Sequence, residues 1–176
     1  MSRAFVRDAD DDSTELHERP VSSQPNFVTA EGLRQIESEV RRLEQARHAA
    51  AGDPAEAARL ARDLRYWQKR YASARLVVVA ADPQAVRFGV RVTLETEDGG
   101  ERAWRLVGED EADPAAGKIS WASPLARSLL GRTVGDAVEF LGQRAEIVRL
   151  QGAEDAVLPG MPPPPKRTAA GSPLPP

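Results

Sequence analysis

The residue types in this chain restrict the chemistry that it could support. Its 176 residues include no cysteine, which excludes disulfide bonds, a thiol nucleophile and a cysteine-based metal site. The two histidines, His17 and His48, lie too far apart in the sequence to suggest a shared site. Carboxylates and basic side chains therefore remain as the groups that could take part in a reaction or bind a charged partner.

Two carboxylates stand one helical turn apart in the segment Gly52-Asp53-Pro54-Ala55-Glu56. An aspartate, a proline at the first helical position and a glutamate three residues after the aspartate form the pattern of a capping box. Asp53 would cap the helix, and Glu56 would reach back to the backbone of Asp53. This structural interpretation alone explains the choice of the two residues.

A second group of carboxylates lies in the segment 108–117. Its members are Glu109, Asp110, Glu111 and Asp113. The segment lacks the alternating acids and the terminal glutamate that are typical of a calcium-binding loop. We therefore interpret it as a solvent-exposed turn and not as a metal site.

A basic face runs along the second predicted helix. It consists of Arg59, Arg62, Arg65, Lys69 and Arg70, with Arg41, Arg42 and Arg47 on the opposite helix. The whole chain has a formal net charge of -3, which argues against indiscriminate binding to duplex DNA. The basic face could contact RNA or an acidic protein wall. The alternative is a solvated helix face with i,i+4 ion pairs, such as Arg59 with Asp63.

Heptad-like spacing predicts the two helices that would position these groups. Thr29 is a candidate N-cap for the first helix, whose apolar seam is Leu33, Ile36, Val40 and Leu43. The pattern ends at Gly52. The second helix starts at Asp53-Pro54, and its seam is Ala57, Leu60, Leu64, Trp67, Tyr71 and Ala74. Complementary seams across a tight break predict an antiparallel helical hairpin, a coiled coil, over residues 28–79 with its tip at 52–56.

Alternation of apolar and polar residues predicts a sheet after a linker at residues 80–86. Strands are expected near 90–95, 102–107, 118–121, 137–141 and 144–150, with a hairpin turn at Asp98-Gly99-Gly100. Ser123 is a candidate N-cap, Pro124 suits the first turn of the short helix that follows, and Gly131 can end it. The sequence therefore predicts an α+β protein in which residues 87–151 form a small, mostly antiparallel sheet with one helix.

The two ends of the chain differ from the middle in composition. Residues 1–27 are acidic and hold few large apolar groups, whereas residues 152–176 are rich in proline. Both segments are predicted to be disordered tails. The sequence shows no apolar run long enough to cross a bilayer and no secretory signal pattern, so we expect a cytoplasmic protein with no membrane association. We also expect a monomer.

Residues 106–136 contain, in this order, Val-Gly-Glu-Asp-Glu-Ala-Asp, Ile-Ser, Ser-Pro-Leu-Ala-Arg, Leu-Leu-Gly and Val-Gly-Asp. Together these motifs resemble the C-terminal domain of the GreA/GreB transcription elongation factors. The segment Val28-Thr29-Ala-Glu-Gly32-Leu33 resembles the start of the N-terminal coiled coil of that family. The resemblance extends from about Val28 to Leu150 and implies that the sheet domain is FKBP-like.

The resemblance also implies a partner. Members of this family dock their C-terminal domain on the β′ subunit of RNA polymerase, at the rim of the secondary channel, and insert the coiled coil toward the catalytic magnesium. The Ser-Pro loop is part of the docking surface, which here implies Ser123 and Pro124 with Trp121 and Ala122 beside them. Family members often carry an acid at the position of Ala122.

The resemblance assigns the chemistry to the tip of the hairpin. Cleavage-active members offer two carboxylates in a Gly-Asp-x-x-Glu arrangement, which corresponds to Asp53 and Glu56. These carboxylates help to hold a second magnesium and its water in the active site of the polymerase, since oxygen ligands suit magnesium and two metals stabilise an in-line displacement. The implied protein is an accessory factor and not an enzyme, and its only metal is the magnesium of the polymerase. Its function would be to restart arrested elongation by promoting cleavage of backtracked RNA.

Two other functions remain open. The family pattern continues with Asn and then Glu-Tyr, where this chain has Ala57, Arg59 and Leu60. The arms of the hairpin are about ten residues shorter than in typical members, which at 1.5 Å per residue removes roughly 15 Å of reach. A regulator that binds the same channel without supporting cleavage is therefore the alternative. The third is prolyl isomerase activity of the sheet domain, for which the sequence offers few aromatic residues to line a pocket.

Overall fold

The structure, a computed structural model, describes residues 17–152. The tails were predicted at residues 1–27 and 152–176. Of these, residues 1–16 and 153–176 lie outside the described part of the chain. In chain order the elements are β1 (Phe27–Val28), α1 (Ala30–Ala49), α2 (Pro54–Ser73), β2 (Arg75–Leu76), β3 (Arg91–Thr96), β4 (Glu101–Val107), a 3-10 turn (Pro114–Ala116), β5 (Lys118–Ser120), α3 (Pro124–Leu129), β6 (Ala137–Phe140) and β7 (Gln143–Gln151). Two long helices precede a sheet, which confirms the predicted mixed class.

Helices α1 and α2 form a helical hairpin with arms of equal length. Each helix has 20 residues, which corresponds to about 30 Å at 1.5 Å per residue. The hydroxyl of Thr29 accepts a hydrogen bond from the backbone N–H of Gly32 and caps α1, as predicted. The seam residues Ile36, Leu43 and Leu64 are each at most 3% exposed, so the two helices bury their apolar faces against each other.

The seam of α2 differs from the predicted one at its C-terminal end. Tyr71, which was expected to pack on the seam, is 49% exposed, whereas Arg70 is 2% exposed. Tyr66 and Arg70 are four residues apart and therefore lie on one face of α2, since a helix has 3.6 residues per turn. Both side chains contact Asp110 of the segment 108–117, and this contact buries residue 70, whereas residue 71 stays half exposed.

The two-stranded sheet at the base of the hairpin corrects the predicted boundary of the N-terminal tail. Strand β1 pairs in parallel with β2, with Phe27 opposite Arg75 and Val28 opposite Leu76. Asn26 is 5% exposed and donates a hydrogen bond from Nδ2 to the carbonyl of Arg70 at 2.7 Å. Asn26 and Phe27 are therefore packed against the helical hairpin, although both lie within the segment that was expected to be disordered.

The second sheet has five strands in the order β5-β4-β3-β7-β6, and only the β4–β5 pair is parallel. The predicted turn at residues 98–100 joins β3 to β4, and α3 covers one face of the sheet. Leu129 of α3 is fully buried in the core. That core consists of Val86, Val90, Val92, Leu94, Leu106, Ile119, Ala126, Leu129, Val138, Phe140, Ala145 and Ile147. The mostly antiparallel sheet with one helix is thus confirmed.

Val86 lies in this core although it falls in the predicted linker at 80–86. Its side chain is fully buried, and its backbone N–H donates to the carbonyl of Arg132 at 2.7 Å. The end of that segment therefore packs with the sheet. Among the described residues, no helix combines the length and the apolar character needed to cross a bilayer.

Candidate functional site

The tip of the helical hairpin presents the two carboxylates that the sequence singles out. Asp53 caps α2, because its Oδ1 accepts hydrogen bonds from the N–H groups of Ala55 and Glu56, each at 3.1 Å. The predicted capping box is only half formed. The N–H of Asp53 donates to the carbonyl of Ala50 at 2.9 Å, and the Glu56 carboxylate instead lies 3.5 Å from Arg59 Nη1. The carboxylate of Glu56 is therefore not used in the cap, and its side chain is 45% exposed.

The tip alone cannot enclose a metal ion. No group of three or more His, Cys, Asp or Glu side chains within residues 17–152 is arranged to hold one. Magnesium requires about six ligands in a near-octahedral arrangement and often takes only one or two of them from carboxylates of one protein. Asp53 and Glu56 fit the role of contributing ligands, and the remaining ligands would have to come from a partner.

The other end of the helical hairpin is attached to the acidic segment 108–117. Arg70 Nε lies 2.5 Å from Asp110 Oδ2, and Arg70 Nη2 lies 3.6 Å from Glu109 Oε2. The hydroxyl of Tyr66 donates to the other oxygen of Asp110 at 2.7 Å. Burial, and then the hydrogen bond to Asp110, raise the pKa of Tyr66 to about 12. These contacts join α2 to the loop that follows β4.

The placement of Arg70 corrects the prediction that this residue contacts RNA or the channel wall. The Arg70 side chain is 2% exposed and is held by two carboxylates of the acidic segment. A guanidinium buried in this way has a structural role, because buried charges require hydrogen-bonded partners. Four residues of the predicted basic face, namely Arg59, Arg62, Arg65 and Lys69, remain outside this buried contact.

The acidic segment also contacts α1, so the interpretation of this segment as a solvated turn was wrong. Glu111 is 5% exposed, and its Oε2 accepts a hydrogen bond from the hydroxyl of Thr29 at 2.5 Å. Lys118 Nζ donates to Glu31 at 2.7 Å and lies 3.5 Å from Glu111. The hydrogen bond from Lys118 lowers the pKa of Glu31. A Cβ added at Gly32 would lie 2.6 Å from Oε2 of Glu111, so a larger residue there would displace this carboxylate.

The contacts between the helical hairpin and the segment 108–118 all lie far from the tip of the hairpin. Tyr66 is twelve residues after Pro54, the first residue of α2, which corresponds to about 18 Å along the helix. Thr29 and Glu31 lie at the start of α1, which is also the end remote from the tip. The sheet therefore holds the helical hairpin at its base, and the carboxylates of Asp53 and Glu56 lie at the opposite end.

The basic face of α2 is partly neutralised by a residue that sequence reasoning missed. Glu18 lies 2.5 Å from Arg65 Nη2 and 3.8 Å from Lys69 Nζ. The hydrogen bond from Arg65 lowers the pKa of Glu18. Arg59 and Arg62 do not share this partner, and Arg59 is the more exposed of the two, with 63% of its side chain accessible. Arg59, near the tip, is thus the most exposed of the five basic side chains of α2.

Two other ion pairs of α2 differ from the predicted pair. Arg59 contacts Glu56 and not Asp63, while Asp63 accepts hydrogen bonds from Arg62 at 3.1 and 3.2 Å. Arg19 lies 3.9 Å from Asp63, and its guanidinium stacks over the ring of Tyr66 at 4.0 Å. Residues 18 and 19 therefore lie along α2. No signal in the sequence predicted this, because the pairing is between residues 40 or more positions apart.

The predicted docking surface is a hydrogen-bonded turn between β5 and α3. Ser123 Oγ accepts from the N–H of Ala126 at 3.2 Å, and the N–H of Ser123 donates to the carbonyl of Ser120 at 2.9 Å. Trp121 packs edge-on against Phe27, with ring centroids 5.1 Å apart. Ala122 is half-buried, whereas Pro124 is exposed. The four residues 121–124 are thus brought together at one surface, and β1 supports them.

The buried salt bridge at the base could have been recognised from one signal. Arg70 lies next to Tyr71 of the predicted apolar seam, and an arginine that is buried beside such a seam requires an acidic partner. The acidic segment 108–117 is the obvious source of that partner. Its link to Arg70 spans 40 positions of the sequence and depends on the path of the chain between them, which spacing along the chain does not reveal.

Comparison with known proteins agrees with the resemblance. Residues 81–149 match the family described as "Transcription elongation factor, GreA/GreB, C-term". The curated "Transcription elongation factor GreA" of Phenylobacterium zucineum is 33% identical over 134 residues, which cover 64% of this chain and 85% of that relative. The chain belongs to the GreA/GreB family. Within the family, the match to the GreA of Phenylobacterium zucineum extends well beyond the C-terminal region.

Other GreA/GreB relatives match over shorter stretches. The GreA of Azorhizobium caulinodans is 48% identical over 73 residues, which are 39% of this chain and 46% of that relative. The GreA of Hyphomonas neptunium is 53% identical over 72 residues, which are 37% and 45% of the two chains. The chain therefore spans less than half the length of these two relatives. The solved structure of GreA/GreB from Nitrosomonas europaea has a TM-score of 0.37 and 23% identity, and the match covers 71% of this chain and 98% of that one.

Proposed function

We propose that this member of the GreA/GreB family is a transcription elongation factor that binds RNA polymerase in the cytoplasm and promotes cleavage of backtracked RNA. The factor would dock at the β′ rim of the secondary channel through Trp121, Ala122, Ser123 and Pro124. The nuclease would be the polymerase itself, so the factor is an accessory protein and not an enzyme. The names of the relatives, which are transcription elongation factors, support the general assignment.

The position of Asp53 and Glu56 at the free end of the helical hairpin carries this proposal. Glu56 and Asp53 lie roughly 15 and 20 Å along α2 from Tyr66, the contact with the acidic segment that is closest to the tip. Glu56 is not used by the helix cap, and Asp53 uses one carboxylate oxygen for it. The hairpin can therefore bring two carboxylates to a magnesium ion that the polymerase holds. Bound there, the ion would supply electrostatic stabilisation of the reacting phosphate.

The basic face supports a secondary contact with the nascent RNA or with the channel wall. Arg59 and Arg62 are the members nearest the tip, and Arg59 is 63% exposed. Arg65 and Lys69 are occupied by Glu18 and would have to exchange this carboxylate for a phosphate. Because such contacts depend on charge, they would weaken as the salt concentration rises.

A second candidate is a regulator that occupies the channel without supporting cleavage. The specific observation in its favour is the short free part of the helical hairpin. Of the roughly 30 Å of α2, about 18 Å extends beyond Tyr66, and the remainder lies beside the sheet. A helical hairpin of this length that does not reach the catalytic magnesium would block the channel and leave the RNA intact.

The substitution Asp53→Asn separates the helix-capping role of Asp53 from its proposed role as a magnesium ligand. Asparagine caps a helix about as well as aspartate does but does not supply a carboxylate. Asp53→Asn and Glu56→Gln should therefore fold normally, remain bound to RNA polymerase, and lose the ability to shorten RNA in stalled, backtracked complexes. Asp53→Ala should lose cleavage as well and also about 1 kcal/mol of stability, because alanine does not cap.

The same assay decides between the two candidates. RNA cleavage by the wild type that persists in both Asp53→Asn and Glu56→Gln would contradict the role of the carboxylates. Retention on the polymerase without cleavage by the wild type would establish the non-cleaving regulator. If purified polymerase does not retain the wild type, both candidates are wrong.

A further inference from the structure

An apolar groove opens beside the predicted docking surface and is not filled by the described residues. Its volume is about 680 Å³, and its aromatic walls are Phe27, Phe88 and Trp121. The ring centroids of Phe27 and Phe88 are 5.9 Å apart, so the two rings form a continuous wall. Val78 lines the groove and is 80% exposed. Exposed apolar surface of this kind usually marks a binding site for an apolar segment.

The last described residue of the chain lies at the edge of this groove. A Cβ added to Gly152 would collide with the backbone oxygens of Ala80 and Ala81, so the chain passes directly against these residues. Ala80 itself lines the groove. The 24 residues after Gly152 therefore start beside the groove. Residues five to nine positions after Gly152 can reach roughly 15 to 28 Å in extended polyproline II geometry, which rises 3.1 Å per residue.

The sequence that starts there matches the chemistry of the groove. Residues 157–165 read Val-Leu-Pro-Gly-Met-Pro-Pro-Pro-Pro, an apolar and proline-rich run. Segments of this type bind grooves lined by aromatic rings, because the extended conformation is already favoured before binding. Two acidic residues, Glu154 and Asp155, precede this run. The groove is lined by Arg87, which forms no ion pair with any residue of the described part of the chain and could therefore pair with them.

We propose that residues 154–165 bind in this groove within the same molecule, with Leu158 and Met161 against the aromatic rings and the acidic pair near Arg87. This binding does not depend on the proposed function. One consequence does rest on it: Trp121 belongs both to the groove and to the proposed docking surface, so the bound segment would compete with RNA polymerase.

The absence of cysteine allows a direct test in the full-length chain. Val78→Cys places a thiol at the exposed rim of the groove, and Gly160→Cys places a second one between Leu158 and Met161. Mild oxidation should form an intramolecular disulfide. The rate should fall at least about tenfold when Leu158→Asp is added, because a bound segment has a much higher effective concentration at the groove than a free tether of equal length. In denaturant the two proteins should react at equal rates.

Equal rates under native conditions, with and without Leu158→Asp, would overturn the proposal. A disulfide that forms only between molecules, at a rate that depends on protein concentration, would also overturn it and would identify a second copy of the chain as the occupant. The crosslinking assay contains no polymerase, so its result is independent of the proposed function. If both proposals hold, Leu158→Asp should increase retention on RNA polymerase severalfold.

Discussion

Arg70 is the residue on which the attachment of the helical hairpin depends most. It is 2% exposed, and it is 2.5 Å from Asp110 and 3.6 Å from Glu109. Removal of one partner from a buried ion pair leaves an uncompensated charge, which typically costs 3–5 kcal/mol. We expect Arg70→Ala to lower the free energy of unfolding in urea by about 3–5 kcal/mol.

Lys69 provides a matched control one position away. Its side chain is 57% exposed, and Lys69→Ala should change the free energy of unfolding by no more than about 0.5 kcal/mol. The double variant Arg70→Met, Asp110→Leu removes both charges of the closest pair, and it should recover much of the loss seen in Arg70→Ala, because apolar replacements of a buried pair are often neutral. Equal stabilities of Arg70→Ala and Lys69→Ala would show that the contact at the base contributes nothing.

Tyr66 gives a spectroscopic report on the same contact. Burial and the hydrogen bond to Asp110 raise its pKa to about 12 from the ordinary value of 10.0. Because the folded state holds this proton more tightly than the unfolded chain, the stabilisation is complete below pH 10 and is lost as the pH rises toward 12. The chain contains two tyrosines, Tyr66 and Tyr71. In Tyr71→Phe, the phenolate absorbance should therefore rise with a midpoint near 12, and a midpoint near 10 would contradict the buried contact.

At the scale of single elements, strand β1 connects the base of the helical hairpin to the acidic segment. A Cβ added to Gly108 would lie 2.7 Å from the carbonyl oxygen of Phe27, which is backbone and cannot rotate away. Gly108→Ala should therefore displace β1 and lower the free energy of unfolding by about 1–3 kcal/mol, as overpacking does. Gly52 is a suitable control because a Cβ there would meet no atom within 4 Å. Gly52→Ala should be neutral or slightly stabilising in the same urea titration, and equal losses in both variants would refute the steric argument.

Most elements could be predicted because their signals are local. The N-caps Thr29, Asp53 and Ser123, the hairpin turn at residues 98–100 and the alternating strands all rest on neighbours within a few positions. Strand β1 could not be predicted in this way. It has two residues, and its partner β2 lies almost 50 positions further along the chain. A strand of that length has no periodicity to detect.

The tip of the candidate site was predictable, whereas its basic face was only partly so. Asp53 and Glu56 were identified from a five-residue motif, and the structure places both at the free end of the helical hairpin. Arg70 was assigned to the exposed face because it is charged, although it shares a helix face with Tyr66 and both side chains contact Asp110. Glu18 neutralises Arg65 from 47 positions away, and such a pair depends entirely on the tertiary fold.

The whole molecule combines a sheet with a helical hairpin that is held at one end. Contacts of α1 through Thr29 and Glu31, and of α2 through Tyr66 and Arg70, all reach residues 109–118. Because both helices are fixed by the same short segment, hydrogen bonds and ion pairs set the direction of the hairpin relative to that segment, together with the packing of Phe27 against Phe88 and Trp121. The same arrangement leaves the tip without any contact to the sheet that would limit its access to a partner.

The length of the helical hairpin should decide whether cleavage occurs. Deletion of residues 43–49 and 57–63 removes one heptad from each arm and keeps the tip from Ala50 to Glu56. This shortens the reach by roughly 10 Å at 1.5 Å per residue while preserving the phase of the seam. We expect the shortened protein to lose RNA cleavage in backtracked complexes completely. Docking through Trp121 to Pro124 should be kept, because these residues and the base contacts are untouched. The deletion also removes Arg59 and Arg62, so the control is the full-length Arg59→Ala, Arg62→Ala variant, which should be retained on RNA polymerase to the same extent as the shortened protein and should still support cleavage. A shortened protein that is retained and still cleaves would show that the carboxylates at the tip do not act by reaching the catalytic magnesium.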